Sequence, residues 1–123
     1  MTEAALVLCA DDDEDILSLV SLRLQRAGFA VATATDGDEA VEIARARRPA
    51  LAVLDVMMPK RTGYEVLAEL RDDDNLREMK VILLSARVQE GDVARGLAAG
   101  ADAYLAKPFK AQELVTKVAE LLG

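Results

Sequence analysis

Short runs of apolar residues alternate with longer amphipathic segments five times along the chain. The first, third and fourth runs are almost entirely apolar, which is typical of strands covered by helices on both faces. The second run, Ala-Val-Ala-Thr-Ala, is less hydrophobic, and we expect its strand to lie nearer an edge of the sheet. The predicted strands are Leu6–Ala10, Ala30–Ala34, Leu51–Leu54, Val81–Leu84 and Ala103–Leu105.

The first three segments between the predicted strands show helical periodicity and residues typical of helix ends, and we predict a helix in each. In the first segment, large apolar residues recur at i, i+4 and i+8 spacing from Ile16 to Leu24, which places them on one helix face. The end signals are Gly28 after the first helix, Asp36 with Glu39 before the second, Pro49 after the second, and the capping box of Thr62 with Glu65 before the third.

The fourth segment, Gln89–Ala99, has a weaker helical signal. It contains Gly91 and Gly96, and its large apolar anchors are Val93 and Leu97. Glycine lowers helix stability, so we expect this helix to be the least rigid of the five.

The fifth segment, Ala111–Leu122, again presents its large apolar residues on one face. Five strand–helix units in 123 residues predict a single α/β domain over residues 1–123. Its architecture is expected to be a doubly wound parallel sheet with right-handed crossovers.

Composition narrows the function classes. Aromatic residues make up 3% of the chain, so the core must be built mainly from aliphatic side chains. The net charge of −7 argues against direct nucleic acid binding by this domain, because phosphate recognition requires a cationic surface. The absence of histidine excludes imidazole-based acid–base catalysis and imidazole metal ligation.

Cys9 is the single cysteine, so no intramolecular disulfide can form, and its apolar neighbours predict a buried core thiol. No apolar run approaches the ~20 residues that a membrane span requires. The N-terminus also lacks the basic and apolar pattern of a signal peptide. We therefore expect a cytoplasmic protein with no membrane partner.

Polar or charged side chains follow four of the five predicted strands. The first strand runs into Asp11–Asp15, the third ends at Asp55, the fourth ends at Ser85, and the fifth leads to Lys107. In open α/β sheets, functional groups collect outside the carboxyl ends of the strands, where the strand order reverses. If the first and third strands are neighbours, their carboxylates converge and repel each other unless a cation lies among them. Oxygen ligands alone favour a hard ion, Mg²⁺ in particular.

The acidic segment after the first strand has two expected roles. Asp13 and Glu14 are best interpreted as a helix cap and a first-turn acid. Asp12 lies at the strand–helix junction, and we expect it to act in the site together with Asp11 and Asp55. The joint placement of these side chains, rather than any one of them, carries the prediction of a site for a phosphoryl group.

Five sequence blocks occur in order along the chain: Leu8–Ile16, Leu54–Pro59 with Gly63, Leu84–Ala86, Gly100–Tyr104 and Lys107–Phe109. At this spacing they resemble the receiver domains of bacterial two-component response regulators, and the resemblance covers the whole chain. It implies a flavodoxin-like (βα)5 fold with the strand order 2-1-3-4-5.

The resemblance also implies a phosphorylation site. Asp55 would be the nucleophile that takes a phosphoryl group from a sensor histidine kinase or a histidine phosphotransfer protein. Mg²⁺ or Mn²⁺ would be held by Asp12, Asp55 and the backbone carbonyl of Met57. Asp11 would act on the metal through water, and Lys107 would pair with the phosphoryl oxygens. The chain would not be an enzyme beyond promoting its own phosphorylation and dephosphorylation.

A conformational switch is implied by the same resemblance. Ser85 would hydrogen-bond to the phosphoryl group, and Tyr104 would follow from an outward to an inward rotamer. The peptide bond between Lys107 and Pro108 would be cis. The altered surface of the fourth helix, fifth strand and fifth helix would control an effector protein or an output domain.

Two positions are expected to tune the lifetime of the phosphoryl group. Met57 and Arg87 each lie two residues after a site residue, and in the family they flank the path of the attacking water. The apolar Met57 and the long Arg87 lead to the hypothesis that self-dephosphorylation is slow. Ser85 stands where threonine is commoner and keeps the hydroxyl.

The segment Lys107–Phe109, followed by Glu113 and Leu114, is similar to the receivers of winged-helix transcription regulators, which dimerise through the last helix. Ala103, however, replaces the second acid of the usual Asp-Asp-Tyr, and Glu120–Leu122 lacks their basic ending. The resemblance therefore implies at most a weak dimer through the fourth helix, fifth strand and fifth helix.

Alternative functions differ in what they require. A Mg²⁺-dependent phosphohydrolase of the haloacid dehalogenase type needs a second aspartate two residues after the nucleophile, where this chain has Met57. A receiver-like interaction module that signals without phosphate usually lacks one residue of the acidic pair, the acceptor or the lysine, all of which are present here. A flavin-binding relative needs a phosphate-cradling loop where this chain has Asp11–Asp15. We expect a stand-alone receiver that works through protein contacts, with a truncated DNA-binding regulator as the alternative.

Overall fold

The computed structural model describes residues 4–86 and 90–123. Its strands are β1 (Leu6–Ala10), β2 (Ala30–Ala34), β3 (Leu51–Asp55), β4 (Lys80–Ser85) and β5 (Ala103–Ala106), and its helices are α1 (Glu14–Arg26), α2 (Gly37–Arg47), α3 (Gly63–Asp72), α4 (Glu90–Ala98) and α5 (Ala111–Leu122). The strands form one parallel sheet in the order β2-β1-β3-β4-β5. The predicted flavodoxin-like α/β fold is confirmed, and β2 lies at the predicted edge. Within the described ranges, no helix is both long and apolar enough to cross a membrane.

Two apolar cores lie on opposite faces of the sheet, because successive strand residues point to opposite sides. One core joins alternate strand residues such as Leu8 and Leu54 to α2 and α3. The other joins residues such as Val7 and Val53 to α1 and α5. Every residue of β3 is buried, as expected of a central strand covered on both faces.

Cys9 lies in the core beneath α1 and α5 and is 2% exposed. Burial, and secondarily the charge of Asp11, raises the pKa of its thiol to about 12. The prediction of an inert core thiol is therefore confirmed.

Three strands are longer than their apolar runs. β3 continues to Asp55, β4 extends from Lys80 to Ser85, and β5 continues to Ala106. The added residues pair in the ladder, with Asp55 opposite Leu84 and Ser85 opposite Ala106. The polar side chains predicted to follow β3 and β4 are therefore the last residues of the strands themselves. Their backbones are fixed by the sheet.

The helix-capping predictions are confirmed. Asp13 is the N-cap of α1 and accepts hydrogen bonds from amides of the first turn. Asp36 caps α2 by accepting from the amide of Glu39 at 2.8 Å. Thr62 and Glu65 form a reciprocal capping box at the start of α3, with bonds of 3.2 and 3.0 Å. The helices that lead away from β1 and β3 thus begin at fixed points beside the site.

The predicted packing of α4 is wrong in one respect. Leu97, expected to be an apolar anchor, is 47% exposed, whereas Gly96 is buried. A Cβ at Gly96 would lie 2.7 Å from the Tyr104 ring and 3.3 Å from Leu83. The helix approaches β5 through this glycine, so the adjacent Leu97 turns about 100° away, toward solvent. Gln89 lies outside the described residues, and the rigidity of α4 stays a prediction.

Arg71, near the end of α3, joins the loops that precede β4 and β5. Its guanidinium donates to the Gly100 carbonyl at 2.7 Å, to the Met79 carbonyl at 2.6 Å and to the Asp102 carboxylate at 3.1 Å. Asp102 also accepts from the Val81 amide at 2.8 Å. This network fixes the start of β5, which gives the Gly100–Tyr104 block a structural role.

Gly37 allows the N-terminus of α2 to press against the loop between β3 and α3. Its amide donates to the Pro59 carbonyl at 3.1 Å, and a Cβ would overlap the Arg61 carbonyl oxygen. Arg61 in turn pairs with Asp38 at 3.1 Å. The loop that leaves Asp55 is therefore held against α2.

We predict that Gly37→Ala lowers the free energy of unfolding by about 1–3 kcal/mol, because the new methyl group forces the loop and α2 apart. The measurement is urea unfolding followed by circular dichroism. Gly91→Ala is the matched control, since a Cβ there meets nothing within 4 Å. It should raise the free energy of unfolding by at most about 1 kcal/mol. Equal effects of the two substitutions would contradict the role assigned to Gly37.

Candidate functional site

Three polar side chains are buried at the carboxyl edge of the central strands. Asp11 is 1% exposed, Asp55 is 4% exposed and Ser85 is 3% exposed. Asp11 follows β1, Asp55 ends β3 and Ser85 ends β4, and these strands are neighbours in the order β1-β3-β4. The predicted convergence of the strand ends is confirmed.

Backbone amides orient the two buried carboxylates. Asp11 Oδ1 accepts from the Asp13 amide at 3.0 Å, and Asp55 Oδ1 accepts from the Met57 amide at 3.3 Å. The amide of Asp11 is itself bonded to the Ala34 carbonyl of β2 at 3.1 Å. In both aspartates the other oxygen, Oδ2, faces the same ammonium group.

That ammonium belongs to Lys107, on the segment after β5. Its Nζ lies 2.8 Å from Asp11 Oδ2 and 3.2 Å from Asp55 Oδ2. The Lys107 amide donates to the Ser85 carbonyl at 2.8 Å, and the Lys107–Pro108 peptide bond is cis, as predicted. Burial alone would lower the pKa of Lys107, but the two carboxylates outweigh it and raise that pKa. The direct pairing of Lys107 with Asp11 was not predicted from the sequence.

The pKa of Asp55 is raised to about 6 from an ordinary value of 3.8. Burial is the main cause, and the charge of Asp11 adds to it, while Lys107 opposes both. Two buried carboxylates share one lysine, so the site retains an uncompensated negative charge when both are ionised. A further cation would stabilise the ionised form.

Asp12 completes a group of carboxylates suited to such a cation. Asp11, Asp12 and Asp55 each offer an oxygen, and these oxygens lie within 4.8 Å of one another. Asp12 is exposed, so the group opens to solvent on that side. An all-oxygen donor set of this kind fits Mg²⁺ or Mn²⁺.

Of the other predicted site residues, Met57 contacts the carboxylate group and Tyr104 lies apart from it. Met57 contacts Asp55 through its amide, and its side chain is 74% exposed. Tyr104 is half-buried in β5 and packs against Gly96 rather than joining the carboxylates. Arg87 lies outside the described residues.

Sequence reasoning gave no structural role to Gly63. A Cβ at this position would lie 2.6 Å from the Asp55 carbonyl oxygen, and the Gly63 amide donates to the Val56 carbonyl at 3.0 Å. The start of α3 is thus packed directly on the backbone of Asp55. A glycine at a helix start is a weak signal, because the close approach becomes apparent only in three dimensions.

We predict that Asp55→Asn stabilises the metal-free protein in a pH-dependent manner. A carboxyl whose folded pKa is raised binds more protons when folded, so the wild type loses stability as pH rises from about 4 through about 6. The asparagine variant escapes this loss. The difference in free energy of unfolding should be near zero at pH 4 and reach roughly 2 kcal/mol above pH 7.

The measurement is denaturant unfolding between pH 4 and pH 8 with a chelator present. Glu42→Gln, at an exposed α2 position, is the control and should shift stability by less than about 0.5 kcal/mol. A gain from Asp55→Asn that is constant over this range would contradict the raised pKa.

Comparison with known proteins identifies the family. The family model described as "Response regulator receiver domain" matches residues 7–119. The transcriptional regulatory protein PrrA of Mycobacterium tuberculosis is 47% identical over 116 residues, which cover 94% of this chain and 49% of PrrA. The alkaline phosphatase synthesis transcriptional regulatory protein PhoP of Bacillus subtilis is 40% identical over 94% of this chain and 48% of PhoP.

Among solved structures, the receiver domain of Francisella response regulator 1452 superposes with a TM-score of 0.90 at 35% identity, covering 95% of each chain. The chain spans about half the length of the curated relatives it matches. The matched family model covers most of the chain, and the solved receiver structure shares its fold. This chain belongs to the response regulator receiver domain family of two-component signalling proteins.

Proposed function

We propose that Asp55 accepts a phosphoryl group and that the resulting aspartyl phosphate switches the surface of α4, β5 and α5. The observation that carries this proposal is the position of Asp55. It is buried at the carboxyl edge of the sheet, 3.2 Å from the Lys107 ammonium. Its carboxylate oxygen lies within 4.8 Å of oxygens of Asp11 and Asp12, so the three could share one metal ion. The Asp55 carboxylate is the nucleophile, and an ammonium group and two further metal-binding carboxylates surround it.

The donor would be the phosphohistidine of a sensor histidine kinase or of a histidine phosphotransfer protein. An Asp55 carboxylate oxygen forms a bond to phosphorus, the P–N bond of phosphohistidine breaks, and the donor imidazole leaves with the bonding electron pair. Negative charge accumulates on the transferring oxygens, and the Lys107 ammonium lies where it can pair with them. Burial excludes bulk water from one side of the acceptor.

Mg²⁺ or Mn²⁺ would supply the remaining positive charge when bound. We propose Asp12, Asp55 and the Met57 carbonyl as direct ligands, with Asp11 acting through water. Both Asp11 oxygens are already engaged, because Oδ1 accepts from the Asp13 amide and Oδ2 pairs with Lys107 at 2.8 Å. Asp55 has the same two kinds of contact, so they do not distinguish the two buried carboxylates, whereas the exposed Asp12 carboxylate is open to direct ligation.

The conformational response would pass through Ser85 and Tyr104. Ser85 ends β4, and its neighbour Leu84 accepts from the Val56 amide at 2.9 Å, so the hydroxyl-bearing strand end adjoins the acceptor. Tyr104 lies on β5 beneath α4. The output would be a protein contact, made with a separate effector or with an output domain of the same chain.

The relatives favour a regulator of transcription as the wider context, since PrrA and PhoP are both named transcriptional regulatory proteins and are about twice as long as the matched region. We propose that residues 1–123 act as one receiver unit. DNA contact would then be the task of another domain, because this one carries a net charge of −7. Any dimer through α4, β5 and α5 would be weak.

We predict that acetyl phosphate adds one phosphoryl group to the wild-type protein when Mg²⁺ is present. Intact-mass spectrometry is the measurement. Omission of Mg²⁺ should lower the rate at least tenfold, because the ionised carboxylates then repel the anionic donor.

Asp55→Asn is the matched control and should give no adduct. Modification that persists in this variant would show that the acceptor is a residue other than Asp55. Absence of an adduct on the wild type would favour an interaction module that signals without phosphate. Repeated turnover of a small phosphate ester would instead revive the phosphohydrolase.

We predict that Met57→Asn and Arg87→Ala each speed self-dephosphorylation by roughly threefold or more, because a polar or shorter side chain admits and orients the attacking water. Loss of the adduct is followed by intact mass after the phosphodonor is removed. Exposed Met57 is free to be replaced without disturbing the core. Unchanged lifetimes in both variants would contradict the assigned tuning role.

A further inference from the structure

The loop between β3 and α3, which carries Met57, is closed into a ring by a backbone hydrogen bond. The Gly63 amide donates to the Val56 carbonyl at 3.0 Å, so the two ends of the loop are joined. We call residues 56–63 the acceptor loop. Because its ends are joined, a backbone change at one point of the acceptor loop must be taken up by its other residues, which include Met57.

The acceptor loop contains a strained turn. The backbone of Lys60 lies in the left-handed region, with φ of 70°. This conformation is unfavourable for a residue with a Cβ, and it persists only where the surrounding structure enforces it. The Lys60 side chain is 62% exposed, and its ammonium lies 3.6 Å from the Asp36 carboxylate, so that pair restrains the turn only weakly. The turn therefore depends on other contacts.

Arg61, the next residue, supplies such contacts by joining the acceptor loop to both neighbouring helices. Its Nε lies 3.1 Å from Asp38 Oδ1 on α2, and its Nη1 lies 3.1 Å from Glu69 Oε2 on α3. The Arg61 amide also donates to the Pro59 carbonyl at 2.8 Å, across the strained residue. The Arg61 side chain is 33% exposed, so its ion pairs are partly shielded from salt. One guanidinium thus fixes the strained turn against two helices.

We propose that Arg61 is a positioning residue for the metal ion: its two ion pairs keep the backbone of Met57 in place beside Asp55, so that binding the ion requires no rearrangement of the acceptor loop. The proposal rests on the proposed function, in which the Met57 carbonyl is a metal ligand. Arg61 acts through the loop and does not touch the metal. A loop that is already ordered loses less conformational entropy when the ion binds, and the affinity is higher for that reason.

The direction of the change in affinity separates this role from simple electrostatics. Removal of a positive charge near a group of carboxylates makes the local potential more negative and should strengthen cation binding. Loss of positioning should weaken it. We predict that Arg61→Gln lowers the Mg²⁺ affinity of the unphosphorylated protein by roughly two- to fivefold, as expected for ion pairs near a surface. Isothermal titration calorimetry with Mg²⁺ measures the change.

Arg45→Gln is the matched control. Arg45 carries the same charge and pairs with the same Glu69 oxygen at 3.0 Å, but it belongs to α2 and not to the acceptor loop. Its replacement should leave the Mg²⁺ affinity unchanged or slightly raised. Denaturant unfolding shows that each variant is folded under the conditions of the titration. The amide resonance of Met57 reports the loop directly, and it should shift in Arg61→Gln and stay in place in Arg45→Gln.

The partner on α2 provides a second test. Asp38→Asn breaks one of the two ion pairs and should also weaken Mg²⁺ binding. Added to Arg61→Gln, it should cause little further loss, because the pair is already broken. Long-range charge effects would behave differently, since the lost positive and negative charges would cancel in the double variant and restore the wild-type affinity.

An unchanged or higher Mg²⁺ affinity in Arg61→Gln would overturn the proposal, and so would an equal loss in Arg45→Gln or a wild-type affinity in the double variant. Failure of the proposed function is distinguishable. In that case Mg²⁺ still binds and responds to Arg61→Gln, but acetyl phosphate gives no adduct on the wild type. A wild-type protein that binds no Mg²⁺, or an Asp55→Asn variant that binds it equally well, would overturn both.

Discussion

One lysine ammonium between two buried carboxylates is the interaction on which the carboxyl edge of this sheet depends. Asp11 and Asp55 are almost inaccessible to solvent, and their Oδ2 atoms lie 2.8 and 3.2 Å from Lys107 Nζ. Ionised groups that are buried in this way destabilise the folded protein unless they are paired with opposite charges, and one positive charge cannot compensate two negative ones. The ionised group of Asp11, Asp55 and Lys107 therefore carries a net negative charge. A divalent cation and a phosphoryl dianion are the pair of charges that would complete this group while leaving Lys107 a partner.

The surrounding backbone keeps this arrangement from relaxing. The Asp13 and Met57 amides hold the Oδ1 atoms of the two aspartates. Pairing with β4 fixes the backbone of Asp55, and a hydrogen bond to the Ala34 carbonyl holds the amide of Asp11. Glycines at positions 37 and 63 let α2 and α3 approach the acceptor loop more closely than any side chain would permit.

The sequence predicted the parallel sheet, because buried parallel strands appear as short apolar runs that alternate with amphipathic helices. The strand order came from the family resemblance, and with it the convergence of the acidic residues that follow the first and third strands. The apolar runs of β3, β4 and β5 end one residue before the strands do, since a polar residue such as Asp55 or Ser85 that ends a ladder carries no hydrophobic signal. Leu97 was also mistaken for an anchor of α4. Side-chain hydrophobicity does not reveal that a helix docks through a glycine, and a pairing such as Lys107 with Asp11 joins residues far apart in the chain.

The buried thiol has a practical consequence for anyone who wishes to watch this domain move. Cys9 is the single cysteine, it is 2% exposed, and its pKa of about 12 keeps it protonated at neutral pH. Maleimides react with exposed thiolates, so the native residue should stay unlabelled. A cysteine introduced at exposed Leu97 would be the sole reactive thiol on the molecule. A fluorophore or spin label could then be attached to α4 in an otherwise unaltered chain.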